Sequence, residues 1–160
     1  MMNKFLGLTA MGIFAISTMA NAQEAEQPWI VDRFDDIKVI RYEVPCFENL
    51  TLQEKEYVYY LAEAAKCGRD IMFDQNFKYN LTIRRALEQI YTSYEGNKEC
   101  PQFKAMEKYL KKVWLANGIH HHYSNDKFRP EFSREWFAEA VGKYVDPQNL
   151  PIEKSLLLDI

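Results

Sequence analysis

The 160-residue chain lacks the short signatures that announce most enzymes. It has no GxSxG turn to expose a nucleophilic serine, no glycine-rich phosphate cradle and no GxGxxG after a strand. Neither HExxH nor HExxxH occurs, and no CxxC or Cys/His spacing offers a tetrahedral zinc site. There is also no excess of positive charge. Twenty Lys and Arg stand against 23 Asp and Glu, a net charge of -3. That balance argues against a nucleic-acid binder or a polybasic membrane binder, both of which need a basic face to meet phosphate. No internal repeat or low-complexity run is present.

Cysteine is scarce and odd in number: Cys46, Cys67 and Cys100. At least one must stay free or pair elsewhere. Cys67 falls in a helical apolar stripe and is expected to be a buried, inert thiol.

The beginning of the chain reads as an export signal. Lys4 is its one charge, Phe5 to Met19 is apolar or small, and Ala20-Asn21-Ala22 is a small-x-small cleavage site. A membrane anchor is the competing reading, but Gly7, Thr9, Gly12, Ser17 and Asn21 dilute the stretch. Residues 1–22 are therefore expected to be a signal peptide, 23–36 a flexible lead-in and 37–160 the folded part. Cleavage after Ala22 leaves 138 residues, with 19 basic against 23 acidic and a charge of -4. The expected location is outside the cytoplasm, in a bacterial periplasm, with no membrane attachment after cleavage.

Downstream the pattern is mainly α-helical after one short strand. Ile37 to Val44 alternates Ile40, Tyr42 and Val44 with Arg41 and Glu43 until Pro45 stops the pairing. A lone strand needs a partner, and no convincing second one follows. Thr51 and Glu54 form a capping box that opens a helix with Val58, Leu61, Ala64, Ala65, Gly68, Ile71 and Met72 on one stripe. A second helix follows Asn80, with Ile83, Ala86, Leu87, Ile90, Tyr91 and Tyr94 inward, ending before Gly96. A third runs from Pro101 to Ala116 and buries Phe103, Met106, Leu110, Val113 and Trp114, stopped by Asn117-Gly118. A fourth follows Ser133 and buries Trp136, Phe137, Ala140, Val141 and Tyr144. The final SLLLDI is an apolar run with no cap, which reads as a chain cut short of its natural continuation.

Three further features carry little chemistry alone. His120, His121 and His122 are consecutive and point in different directions, so a polar loop is expected rather than a metal site. Asp35-Asp36 and the basic stripe Lys104, Lys108, Lys111 and Lys112 both read as solvated surface, with Glu107 offering Lys111 an i,i+4 partner.

Two segments go further. LTLQEKEYVYYLAEAAKCGRDI, Leu50 to Ile71, and ANGIHHHYSNDKFRP, Ala116 to Pro130, resemble in order and spacing the N-terminal region of the dipeptidyl peptidase III family of zinc peptidases. In the second segment Gly118, Tyr123, Lys127, Phe128 and Pro130 carry the likeness. Ile119 stands where that family usually has Asn, and the histidine run replaces less unusual residues. The family's HExxGH and EExxxD motifs do not occur in this chain. The resemblance implies part of the non-zinc lobe of a two-lobed α+β metallopeptidase. In such an enzyme two histidines and a glutamate hold zinc, a further glutamate activates water, and dipeptides leave from the N-terminus of short peptides.

It also implies that the strand joins a sheet, that the helices from Thr51 to Tyr94 pack around it, and that Gly118 to Phe128 lines the substrate cleft. Tyr123, with His122 and Asn125 beside it, is then a substrate contact. No catalytic or metal-binding residue is expected within this chain, zinc belongs to the full-length parent, and the partners are an oligopeptide and the remainder of the same polypeptide. The alternative is a small helical periplasmic protein that binds a partner through exposed aromatic residues without catalysis.

Overall fold

A computed structural model describes residues 29–150 and 152–160. The expected signal peptide lies outside the described residues. The fold is mainly helical, with one antiparallel hairpin near its start. Among the described residues no helix is long and apolar enough to cross a membrane.

Strands β1 (Ile30–Phe34) and β2 (Ile37–Ile40) form the hairpin, with Phe34 opposite Ile37 and a bulge between Ile30 and Asp32. The two-residue turn Asp35-Asp36 places Asp35 at a φ of 53°, a left-handed conformation that aspartate tolerates better than most residues. Two expectations change here. The strand ends at Ile40 rather than Val44, and its partner lies upstream, inside the stretch 23–36 that the sequence suggests is a lead-in. Alternation in Ile-Val-Asp-Arg-Phe is too short to stand out from sequence alone.

Helix α1 (Leu52–Cys67) begins as its capping box dictates: Thr51 Oγ1 accepts from Glu54 N–H, and Glu54 Oε2 accepts from Thr51 N–H at 2.8 Å. The helical segment does not run unbroken to Met72. Gly68, a poor helix former, separates α1 from α2 (Arg69–Asn76). The apolar stripe of α1 also stays uncovered. Val58, Leu61, Ile71 and Met72 are all exposed, as are Tyr57, Tyr59 and Tyr60. Periodicity specifies which face is apolar, but only a neighbour can bury it. Cys67 is accordingly exposed, overturning the expectation of a buried thiol.

The core sits among α3 (Asn80–Ser93), α4 (Pro101–Ala116), α5 (Arg134–Tyr144) and α6 (Lys154–Asp159). Leu87 and Ile90 of α3 meet Phe103, Met106, Leu110 and Val113 of α4, with Ala140 and Val141 of α5 and Leu157 of α6 completing the buried cluster. Pro101 at the first turn of α4 has no N–H to leave unpaired, and Ser133 caps α5 by accepting from Trp136 N–H. Phe103 stacks on Tyr94 with ring centroids 4.7 Å apart. The apolar run at 155–160 is partly covered, since Leu157 is buried while Leu156 faces solvent.

Helix α2 is joined to this body through Phe73, which is fully buried, and through Asp70, which accepts from both Arg84 and Arg85 at 2.7 and 2.9 Å. The Arg84 hydrogen bond holds the Asp70 carboxyl below its ordinary range. Arg84 also lies over the Phe73 ring, 4.6 Å from its centroid.

The basic stripe of α4 is a solvated face only at Lys104, which is exposed; its other three lysines are half-buried and paired with acids from elsewhere in the chain. Lys111 bonds Asp32 of β1 at 2.8 Å, Lys112 pairs with Asp35 in the hairpin turn, and Lys108 pairs with Glu131 at 2.5 Å. The Lys111 and Lys112 contacts tie the hairpin to α4, where the resemblance implies packing by the helices between Thr51 and Tyr94, while Lys108 ties α4 to the segment before α5. Lysines at three- and four-residue steps present their ammonium groups along one side of a helix, and the acidic turn supplies the matching charges.

The pH dependence of that attachment follows from the carboxylates. Lys111 and Lys112 hydrogen bonds lower the pKa values of Asp32 and Asp35. The attachment is then fully present above the ordinary Asp value of about 3.9 and is lost as pH falls through the lowered folded-state values. Acid titration followed by NMR should therefore detach the hairpin amides from α4 only below about pH 4. Lys111→Met should loosen the same amides at neutral pH while lowering Tm by no more than about 3 °C, because the pair is substantially exposed. A hairpin unmoved in both experiments would show that these ion pairs do not hold it.

Candidate functional site

The loop between α4 and α5 is built from a helix stop and an internal clasp. Asn117 takes a left-handed φ of 53° and Gly118 a φ of 152°, and Gly118 N–H returns to Val113 O at 3.0 Å. That closure satisfies a carbonyl at the end of α4 and turns the chain sharply. Asn80, at the start of α3 and completely buried, accepts from Ile119 N–H through Oδ1 at 3.1 Å. Asn76 donates to Asn117 O at 3.3 Å. The start of the loop is thus fixed to the first turn of α3 rather than hanging free.

Beyond Ile119 the chain folds back on itself. His120 and Lys127 form an antiparallel bridge, Phe128 N–H donates to Ile119 O at 2.8 Å, and His121 N–H donates to Asp126 O at 2.9 Å. Ser124 Oγ and the Asp126 carboxylate close the tip at 2.9 Å. Only His120 turns away from its neighbours, so the expectation that the three consecutive histidines point in different directions fails for His121 and His122. His120 packs edge-on to Phe77 at 5.5 Å, while His121 and His122 stack at 4.7 Å.

Of the residues singled out in the sequence, the structure brings two together. The Tyr123 ring lies 4.1 Å from that of His122 and is 88% exposed. Asn125 is also exposed at the tip. A cleft of about 720 Å³ opens beside this loop, between β2, the hairpin turn and the last turns of α4. His121 and His122 line it together with Phe128, Lys112 and Asp35, whereas Tyr123 and Asn125 stand outside its walls at the tip. Sequence reasoning misses His121, Lys112 and Asp35. The available signal is the lysine spacing in α4 against the acidic doublet, which is legible only once the hairpin is known.

The chemistry on offer is recognition. Among the described residues β2 has β1 as its one strand neighbour, so its other edge has backbone groups able to pair with an extended chain. The imidazoles and Phe128 give flat faces for side chains, and the Lys112–Asp35 pair fixes the floor. Among the described residues no group of three or more His, Cys, Asp or Glu side chains is placed to hold a metal ion. The chain matches no protein-family model and no curated protein.

Proposed function

We propose that this chain is part of the substrate-binding side of an exported zinc-dependent dipeptidyl peptidase that releases dipeptides from the N-terminus of short peptides. The observation that carries the reading is the Gly118–Phe128 loop, whose residues bear the family likeness. It is braced by buried Asn80 and borders a cleft lined by an edge strand. An extended peptide can add to such an edge through main-chain hydrogen bonds, while alternate side chains find the imidazole and aromatic faces. Zinc and the groups that activate water belong to other parts of the parent enzyme in this reading. The uncovered apolar face of α1 and α2 is surface that the remainder of the polypeptide would bury.

The test uses the full-length product of the reading frame that encodes these residues. It should release dipeptides from an N-terminal dipeptidyl arylamide, lose that activity on complete zinc removal and regain it with added zinc. Activity that persists without zinc, or no dipeptide release by the metal-loaded protein, overturns the reading. In the active enzyme Tyr123→Ala should raise KM by about three- to tenfold with kcat little changed, the scale of one lost aromatic contact. Unchanged kinetics would show that Tyr123, at the loop tip beside the cleft, does not touch substrate.

A second reading, a helical periplasmic binding protein without catalysis, is favoured by one observation. Tyr57, Tyr59 and Tyr60 are exposed on a single helix. Aromatic residues are over-represented at protein interfaces. The same assay separates the two, because a binding protein releases no dipeptide under any metal condition.

A further inference from the structure

A second concavity, on the side of the core near α6, differs in character from the β2 cleft. It encloses about 470 Å³, within the range of about 300–1,000 Å³ typical of small-molecule sites. Leu87 of α3, Tyr109 of α4, Ile119 and Phe132 form its inner wall, and all four are buried. Tyr109 and Phe132 meet edge to face with centroids 5.7 Å apart, so the wall is fixed by packing.

The charged residues that line this cavity are all cationic. Lys127, Arg129 and Arg134 contribute to it, and no Asp or Glu side chain does. Arg134 is committed to Asp159 at 2.5 Å and to Leu158 O at 2.9 Å, which holds α6 as one side of the cavity. Lys127 donates to Ile160 O at the same side. Arg129 has no ion pair among the described residues and is exposed. Tyr109 is neutral at physiological pH as any tyrosine is, and burial pushes its hydroxyl further up, to about 12.

An apolar interior whose charged side chains are all cationic selects for one kind of molecule. We propose that this cavity binds a small amphiphile of the medium-chain fatty acid class, with its alkyl tail against Leu87, Ile119 and Phe132 and its carboxylate at Arg129 and Lys127. A cationic amphiphile would meet like charge, and a neutral one would leave the arginine unused. The inference stands apart from the peptidase reading, since binding here needs neither zinc nor a peptide.

Decanoate is the probe, with decanol as its uncharged counterpart. In the full-length protein with labelled methyl groups, decanoate should saturate one site at or below about 1 mM. NMR should show NOEs from its terminal methyl to the Leu87 and Ile119 methyls. Arg129→Ala should weaken decanoate about tenfold and leave decanol within about twofold, as expected for one charge-assisted contact. The proposal is overturned by non-saturable binding, by NOEs confined to other methyls, or by decanol binding as tightly as decanoate. An equal loss for both ligands in the variant would likewise refute the head-group assignment. The NOE experiment requires no substitution and so remains decisive if the variant is poorly folded.

Discussion

Gly118→Ala should lower the unfolding free energy by about 3–5 kcal/mol, read as a shift in denaturant midpoint with an unchanged slope. Two causes add at this one position. The φ of 152° lies in a region that residues with a Cβ rarely adopt, and holding one there costs about 1–3 kcal/mol. A Cβ would also stand 2.1 Å from Asn80 Nδ2 and 2.8 Å from its Oδ1. Asn80 cannot retreat without abandoning Ile119 N–H, and a buried donor left unpaired costs about a further 1–3 kcal/mol.

Asn80→Ala offers a control, because it removes the acceptor toward Ile119 N–H and the Nδ2 donor to Asn117 O without adding a Cβ to the loop, and should itself cost about 1–3 kcal/mol for the unpaired amide. If Gly118→Ala proves neutral, the loop can relax away from α3, and its fixed position beside the cleft is lost as an argument for recognition.

Phe103→Ala should destabilise the protein by about 3–5 kcal/mol, the range for truncating a buried aromatic residue whose surroundings cannot collapse. Phe103 is 1% exposed, stacks on Tyr94 and lies 6.0 Å from Tyr91. Tyr94 in turn meets Tyr144 of α5 at 5.4 Å. The ring therefore links α3, α4 and α5, and removing it leaves a void among large planar groups that cannot rotate freely into it. Phe103→Leu should recover roughly half of the loss, since it restores most of the volume but not the stacking. Thermal or denaturant unfolding checks both variants. A cost near 1 kcal/mol for the alanine variant would mean that the three helices are held elsewhere.

How far the sequence reaches differs from element to element. Thr51 with Glu54, Pro101, Asn117-Gly118 and Ser133 each mark a helix boundary through a local hydrogen bond or a local steric limit, and the structure has helix ends at each of them. The stripes of α3 and α4 also predict the core, because each helix finds the other. The stripe from Val58 to Met72 obeys the same spacing but remains exposed. Spacing records the face that a helix offers, and says nothing of whether a partner is there.

The loop and its surroundings show a similar division. Tyr123 and His122 are adjacent in sequence, so their contact needs no fold to bring them together. Asn80 and Ile119 are 39 residues apart, and no local pattern links a helix-start asparagine to a loop amide. The β1 strand, five residues long and outside any long alternating run, has no identity until β2 pairs with it.

By itself, then, the sequence determined the helical class, the helix ends at Thr51, Pro101, Asn117 and Ser133, and the polar loop after Gly118, all of which rest on interactions within a few residues. The tertiary structure alone decided that Lys108, Lys111 and Lys112 grip acids rather than face water, that Cys67 is exposed, and where the two cavities lie. Ion pairs, burial and cavities depend on distances between residues far apart in the chain, and those distances exist only once the helices have packed.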